Sequence, residues 1–69
     1  MSNEDRLTLE SLISKIVAKM HPEEVRTVFR DIATTTELGL AIQRGIIHGA
    51  SEHSDTFANE LITVTHDQI

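Results

Sequence analysis

Apolar residues recur along this chain with a helical period. Leu9, Leu12, Ile13, Ile16, Val17 and Met20 fall at i, i+3, i+4, i+7, i+8 and i+11. That is the 3.6-residue repeat of an amphipathic helix. Glu10, Ser11, Ser14, Lys15, Ala18 and Lys19 occupy the other face. The pattern predicts a first helix over about Asp5–Met20. Asn3 or Ser2 can cap it, Glu4 and Asp5 put negative charge at its positive end, and Lys15 and Lys19 sit near the other end. Pro22 stops it, because a proline disfavours helical geometry at the preceding residue, here His21.

The same proline suits the first position of a second helix, with Glu23 and Glu24 in its first turn. Val25, Val28, Phe29, Ile32 and Ala33 continue the three-four spacing, so this helix is expected over Pro22–Ala33. Thr34, Thr35 and Thr36 are β-branched and weak helix formers, while Thr34 with Glu37 matches a capping box. A break is therefore expected there rather than one bent helix.

Leu38, Ala41, Ile42 and Ile46, flanked by Leu40 and Ile47, define a third helix over about Thr35–His48. Gly49 is expected as its left-handed C-terminal residue. Ala41, Gly45 and Gly49 also form a ridge of small residues at spacing four, which would let another helix backbone come close. Ser51–Asp55 reads as a turn. Phe57, Ala58, Leu61, Ile62 and Val64 give a fourth helix over about Ser54–Val64, with His66–Ile69 expected to fray. The fold class is all-α, a single domain over residues 1–69 built as a bundle of three to four short helices.

Size changes what this pattern means. A 69-residue domain buries a low fraction of its surface. Small scaffolds draw on disulfides, a metal or a partner chain. The chain has no cysteine, so disulfides are excluded. The stripe Leu9, Leu12, Ile13, Ile16, Val17 and Met20 is accordingly expected to carry self-association, as a homodimer or higher oligomer.

Charge narrows the partners. The net charge is −5 and unevenly spread. Residues 25–50 hold Arg26, Arg30 and Arg44 against Asp31 and Glu37, whereas residues 51–69 hold four acids and no base. An acidic chain repels nucleic acid unless its bases cluster. A helix-turn-helix would place a glycine four residues after Ala33, where Glu37 stands. DNA-binding regulation is thus the weakest reading. No apolar run approaches the roughly 18 residues of a membrane span, and the polar start does not resemble a signal peptide. A cytoplasmic protein is expected.

Candidate chemistry is sparse. His21, His48, His53 and His66 lack zinc-site spacing, so no metal or cofactor is expected and loop histidines in solvent are the better account. Ser51, His53, Ser54 and Asp55 contain the residue types of a hydrolytic triad, but they sit in one short stretch with little chain left to enclose a pocket. No enzyme is expected. Arg26 and Arg30 lie one turn apart, with Thr34 following and Arg44 on the third helix. Guanidinium groups and hydroxyls suit an anion or acidic partner. These four residues are the candidate partner or ligand site, taken as surface rather than as part of the fold. The alternative, in which Arg26 simply pairs with Glu23, leaves that face as solvated surface.

The sequence therefore points to a small non-catalytic interaction protein that binds and inhibits or adapts another macromolecule. By analogy in size and acidity, it resembles in kind the accessory regulators of phage and mobile elements. The alternative is an oligomeric binder of a small phosphorylated ligand such as a nucleotide.

Overall fold

The computed structural model describes residues 2–32 and 35–67. Four helices follow one another: α1 Asn3–Val17, α2 Pro22–Asp31, α3 Glu37–His53 and α4 Asp55–Asp67. There is no strand among the described residues. The all-α expectation holds.

Local chemistry explains most helix ends. Ser2 caps α1 by accepting a hydrogen bond from the Asp5 amide at 3.1 Å. Its last turn closes through Lys19 and Met20 amides, which donate to the Ile16 and Val17 carbonyls at 3.0 Å. The helix itself therefore ends at Val17, three residues before the expected Met20. Pro22 opens α2 as expected, and His21 caps it, with Nδ1 accepting from the Glu23 amide at 3.2 Å. α2 stops at Asp31 because Ile32 turns extended. The expected continuation to Ala33 and the Thr34–Glu37 capping box fall partly on residues 33–34, which lie outside the described residues. The cap observed on α3 is Thr36, whose hydroxyl accepts from the Gly39 amide at 3.0 Å.

The third helix departs most from its expected span. It runs through Gly49 to His53 instead of ending at His48, and no glycine has a positive φ. Gly49 is buried inside the helix and is not its left-handed cap. The expected turn over Ser51–Asp55 shrinks to Ser54, which caps α4 by accepting from the Phe57 amide at 3.0 Å. Two helices thus meet at one extended residue.

The reason α3 continues lies in packing. An added Cβ at Gly45 would sit 2.7 Å from Ile13 Cβ and 3.0 Å from the Glu10 carbonyl oxygen. One at Gly49 would sit 2.7 Å from both the Ser14 carbonyl oxygen and Val17 Cβ. α1 therefore lies directly on the Ala41–Gly45–Gly49 ridge, backbone close to backbone. The core extends from this seam through Val17, Val25, Phe29, Ile46, Ala50, Phe57, Ala58 and Leu61. All four helices contribute to it.

Polar ties lock the ends of the bundle. Gln43 Nε2 donates to Thr65 Oγ1 at 3.0 Å, joining α3 to α4. The His53 ring reaches back so that Nε2 lies 3.1 Å from the Val17 carbonyl oxygen, whose first partner is the Met20 amide of the closing turn of α1. His53 also meets the Phe57 ring edge-on, 5.9 Å between centroids. This histidine is exposed, yet it clasps the end of α3 to the end of α1. His21 serves as a cap and His48 lies on a helix, and both are exposed, as is His53. The serines are similarly engaged: Ser51 Oγ donates to the His48 carbonyl at 2.6 Å, while Ser54 caps α4. The serine–histidine–aspartate types of this stretch do not converge.

Candidate functional site

Two surfaces carry the residues singled out in the sequence. The first is α1. Its stripe is not one face but two. Val17 is 4% exposed, Ile13 and Met20 are half-buried against the core, and Leu9 is half-buried. Leu12 and Ile16 stay 53% and 57% exposed. A helix resting on a glycine ridge touches its neighbour along a narrow line. Residues about 60–100° around the wheel from that line remain outside, which is where Leu12 and Ile16 fall relative to Ile13. The six-residue self-association set is therefore corrected. Ile13 and Val17 belong to the core seam of this chain, Leu9 and Met20 border it, and Leu12 and Ile16 form the outward apolar row. Leu7 on another side of α1 is 60% exposed, a residue the periodic reading passed over because it lies off the stripe.

The second surface is the arginine face on α2. Arg26 is not free. Its Nε donates to Glu60 Oε2 at 2.6 Å and a terminal nitrogen to Glu60 Oε1 at 3.2 Å, which ties α2 to α4. A second terminal nitrogen pairs with Glu23 on its own helix. The guanidinium carbon sits 4.9 Å from the Phe57 ring centroid. The expectation that Arg26 stands apart from the fold is thus corrected: it is a strut between helices. The Arg26–Glu23 pair was legible at spacing three, but Glu60 was not, since 34 residues separate the partners and nothing local signals them. Arg30 and Arg44 are exposed, on α2 and α3. Thr34 lies outside the described residues. Of the four, Arg26 is thus engaged by Glu23 and Glu60, whereas Arg30 and Arg44 present exposed guanidinium groups on separate helices.

The strut has an electrostatic signature. The Glu60 carboxyl is held below its ordinary pKa, chiefly by the Arg26 hydrogen bond, against some desolvation and with further attraction from Arg26 and Arg30. Arg26 is correspondingly raised, first by its bond to Glu60. A carboxyl depressed in the folded state stabilises the fold above its unfolded pKa. That contribution disappears as the pH falls through the folded value. Both groups touch solvent, so the effect is modest and screened by salt. Arg26→Ala should lower the melting temperature at pH 7 more than Arg30→Ala does, and should flatten the loss of stability between pH 5 and pH 3. Thermal melts across that range provide the check; identical acid limbs for wild type and Arg26→Ala would remove the strut from the account.

No helix among the described residues is long and apolar enough to cross a membrane. No family model, no curated protein and no solved structure matches this chain.

Proposed function

We propose that this chain is a small non-catalytic interaction protein that works as a homo-oligomer and binds another macromolecule, inhibiting or adapting it. The observation that carries the reading is the outward row of α1. Leu12 and Ile16 are more than half exposed on a helix whose other apolar side is already buried. Solvent-facing aliphatic side chains grouped on one helix are a common mark of an interface. A self-association contact there supplies burial that 69 residues provide sparingly.

The partner-binding residues in this reading are the exposed Arg30 and Arg44, together with Thr34 from the sequence pattern, and guanidinium groups suit an acidic protein surface. The phosphorylated-ligand reading stands second. It needed Arg26 and Arg30 to clasp one anion, and Arg26 is already held by Glu23 and Glu60. A cytoplasmic location goes with the proposal.

The test has two arms. Light scattering at about 100 µM, a concentration that populates weak dimers, should report a mass above 7.7 kDa. Affinity capture from lysate should recover a protein with wild type and lose it with the double variant Arg30→Ala, Arg44→Ala, whose melting temperature should stay close to wild type. A monomer that captures nothing and melts higher with nucleotides would replace this reading with the phosphorylated-ligand one.

A further inference from the structure

The outward row of α1 is bracketed by opposite charges. Asp5, Leu12 and Lys19 are spaced seven residues apart, so they fall on one side of the helix, drifting about 20° per step. All three are exposed. Lys19 lies just past Val17, but its amide still bonds the Ile16 carbonyl at 3.0 Å, which keeps it on the closing turn of the same helix. Neither Asp5 nor Lys19 makes an ion pair among the described residues. Leu9 and Ile16 lie between them, completing a four-three-four-three alternation from Asp5 to Lys19 that matches the seam of a two-helix coiled coil.

This arrangement is complementary to itself in one direction only. A second α1 lying parallel would set Asp5 against Asp5 and Lys19 against Lys19. Lying antiparallel, with the twofold axis at the level of Leu12, it would set each Asp5 opposite the Lys19 of the other copy. Leu12 would meet Leu12 at the centre, flanked by Ile16. A twofold interface presents the same patch from both subunits, and this patch satisfies that requirement. Like charges placed opposite each other oppose assembly, so the end charges select direction as they do in coiled coils.

We infer that α1 docks on α1 of a second copy in antiparallel register, with Leu12 on the twofold axis and two Asp5–Lys19 pairs closing the ends. The inference rests on the self-association proposed above and adds its geometry. A single helix pair buries less than a standard interface, so the dimer is weak, with a Kd of tens of micromolar on the order expected for small contacts.

Charge reversal tests the register. Asp5→Lys alone should raise the dimer Kd about tenfold, because both end pairs turn from attraction to repulsion. Lys19→Asp alone should do the same. The double variant Asp5→Lys, Lys19→Asp should return to near the wild-type Kd. The recovery cannot come from the fold itself. The double variant places a cation at the start of α1 and an anion at its end, which is the wrong polarity for the helix dipole. Circular dichroism confirms that each variant is helical before sedimentation or light scattering is read. Single variants that dimerise like wild type, or a double variant as weak as the singles, would overturn the antiparallel register while leaving self-association intact. A wild type that is monomeric at about 100 µM would overturn both and assign the apolar row to a different protein.

Discussion

Gly49→Ala is expected to melt well below wild type, and Gly45→Leu to prevent folding. At Gly49 even a methyl group would lie 2.7 Å from the Ser14 carbonyl oxygen. That atom belongs to the α1 backbone, so relief requires moving the whole helix. At Gly45 the obstacle is Ile13 Cβ at 2.7 Å, the root of a side chain and no more able to swing aside. Overpacking of this kind costs about 1–3 kcal/mol for a small increment and more for a full side chain. Helix propensity works in the opposite direction, since alanine or leucine in place of glycine gains about 1 kcal/mol. The net effect is still large for a chain this short, whose total stability is on the order of 3–10 kcal/mol. Arg44→Ala, an exposed position on the same helix, is the control and should change little. Gln43 is not suitable for that purpose, because it is half-buried and bonded to Thr65. Thermal melts followed by circular dichroism would check the order. A Gly49→Ala protein as stable as wild type would mean that α1 and α3 stand further apart than described.

The second large effect separates two adjacent residues of one stripe. Ile13→Glu should unfold the protein, whereas Leu12→Glu should leave it folded and monomeric. Ile13 rests on Gly45 at the α1–α3 seam. Removing a fully buried isoleucine costs about 2–5 kcal/mol; the half-buried Ile13 falls toward the lower end, to which placing a carboxylate against the α1–α3 seam adds a desolvation penalty. Leu12 is 53% exposed, and a surface exchange typically stays within about 0.5 kcal/mol. If the row Leu12–Ile16 mediates assembly, a charge at its centre breaks assembly without touching the fold. Paired measurements of melting temperature and solution mass decide the matter. A Leu12→Glu protein of unchanged oligomeric mass would take α1 out of the interface, and one that unfolds would place Leu12 in the core.

These two neighbours show where local pattern stops being informative. Periodicity marks Leu9, Leu12, Ile13, Ile16, Val17 and Met20 as equivalent, because hydropathy has no information about which neighbour each residue meets. The tertiary contact divides them. A glycine ridge lets α1 settle so close that only a narrow strip, centred on Ile13 and Val17, is covered. Had α3 carried larger residues at 45 and 49, α1 would stand off, and bulky side chains from both helices would fill a broader seam.

Gly49 illustrates a second kind of ambiguity. The absence of a Cβ permits both a left-handed helix end and a close helix crossing. As a cap, Gly49 would have ended α3 at His48; as a packing site, it requires the helix to continue to His53. The ridge Ala41–Gly45–Gly49 was legible in the sequence, and followed through it excludes the cap, since the ridge needs Gly49 in helical register. Burial against Ser14 and Val17 outweighs the local signal. Two further features had no local signal at all. His53 finds the Val17 carbonyl 36 residues away, and Arg26 finds Glu60 34 residues away. Both depend on the helices being assembled first.

The sequence by itself determined the all-α class, the helix start at Pro22 and the small-residue ridge, bounded the helix count at three to four, and favoured a break before α3. Each is written in short-range chemistry: a fixed proline φ, β-branched threonines, a period of 3.6, glycines at spacing four. Only the tertiary structure decided which half of the α1 stripe is core and which is surface, that Gly49 packs instead of capping, and that Arg26 braces the bundle. Those outcomes depend on distances between helices, and a pattern along one chain does not contain them.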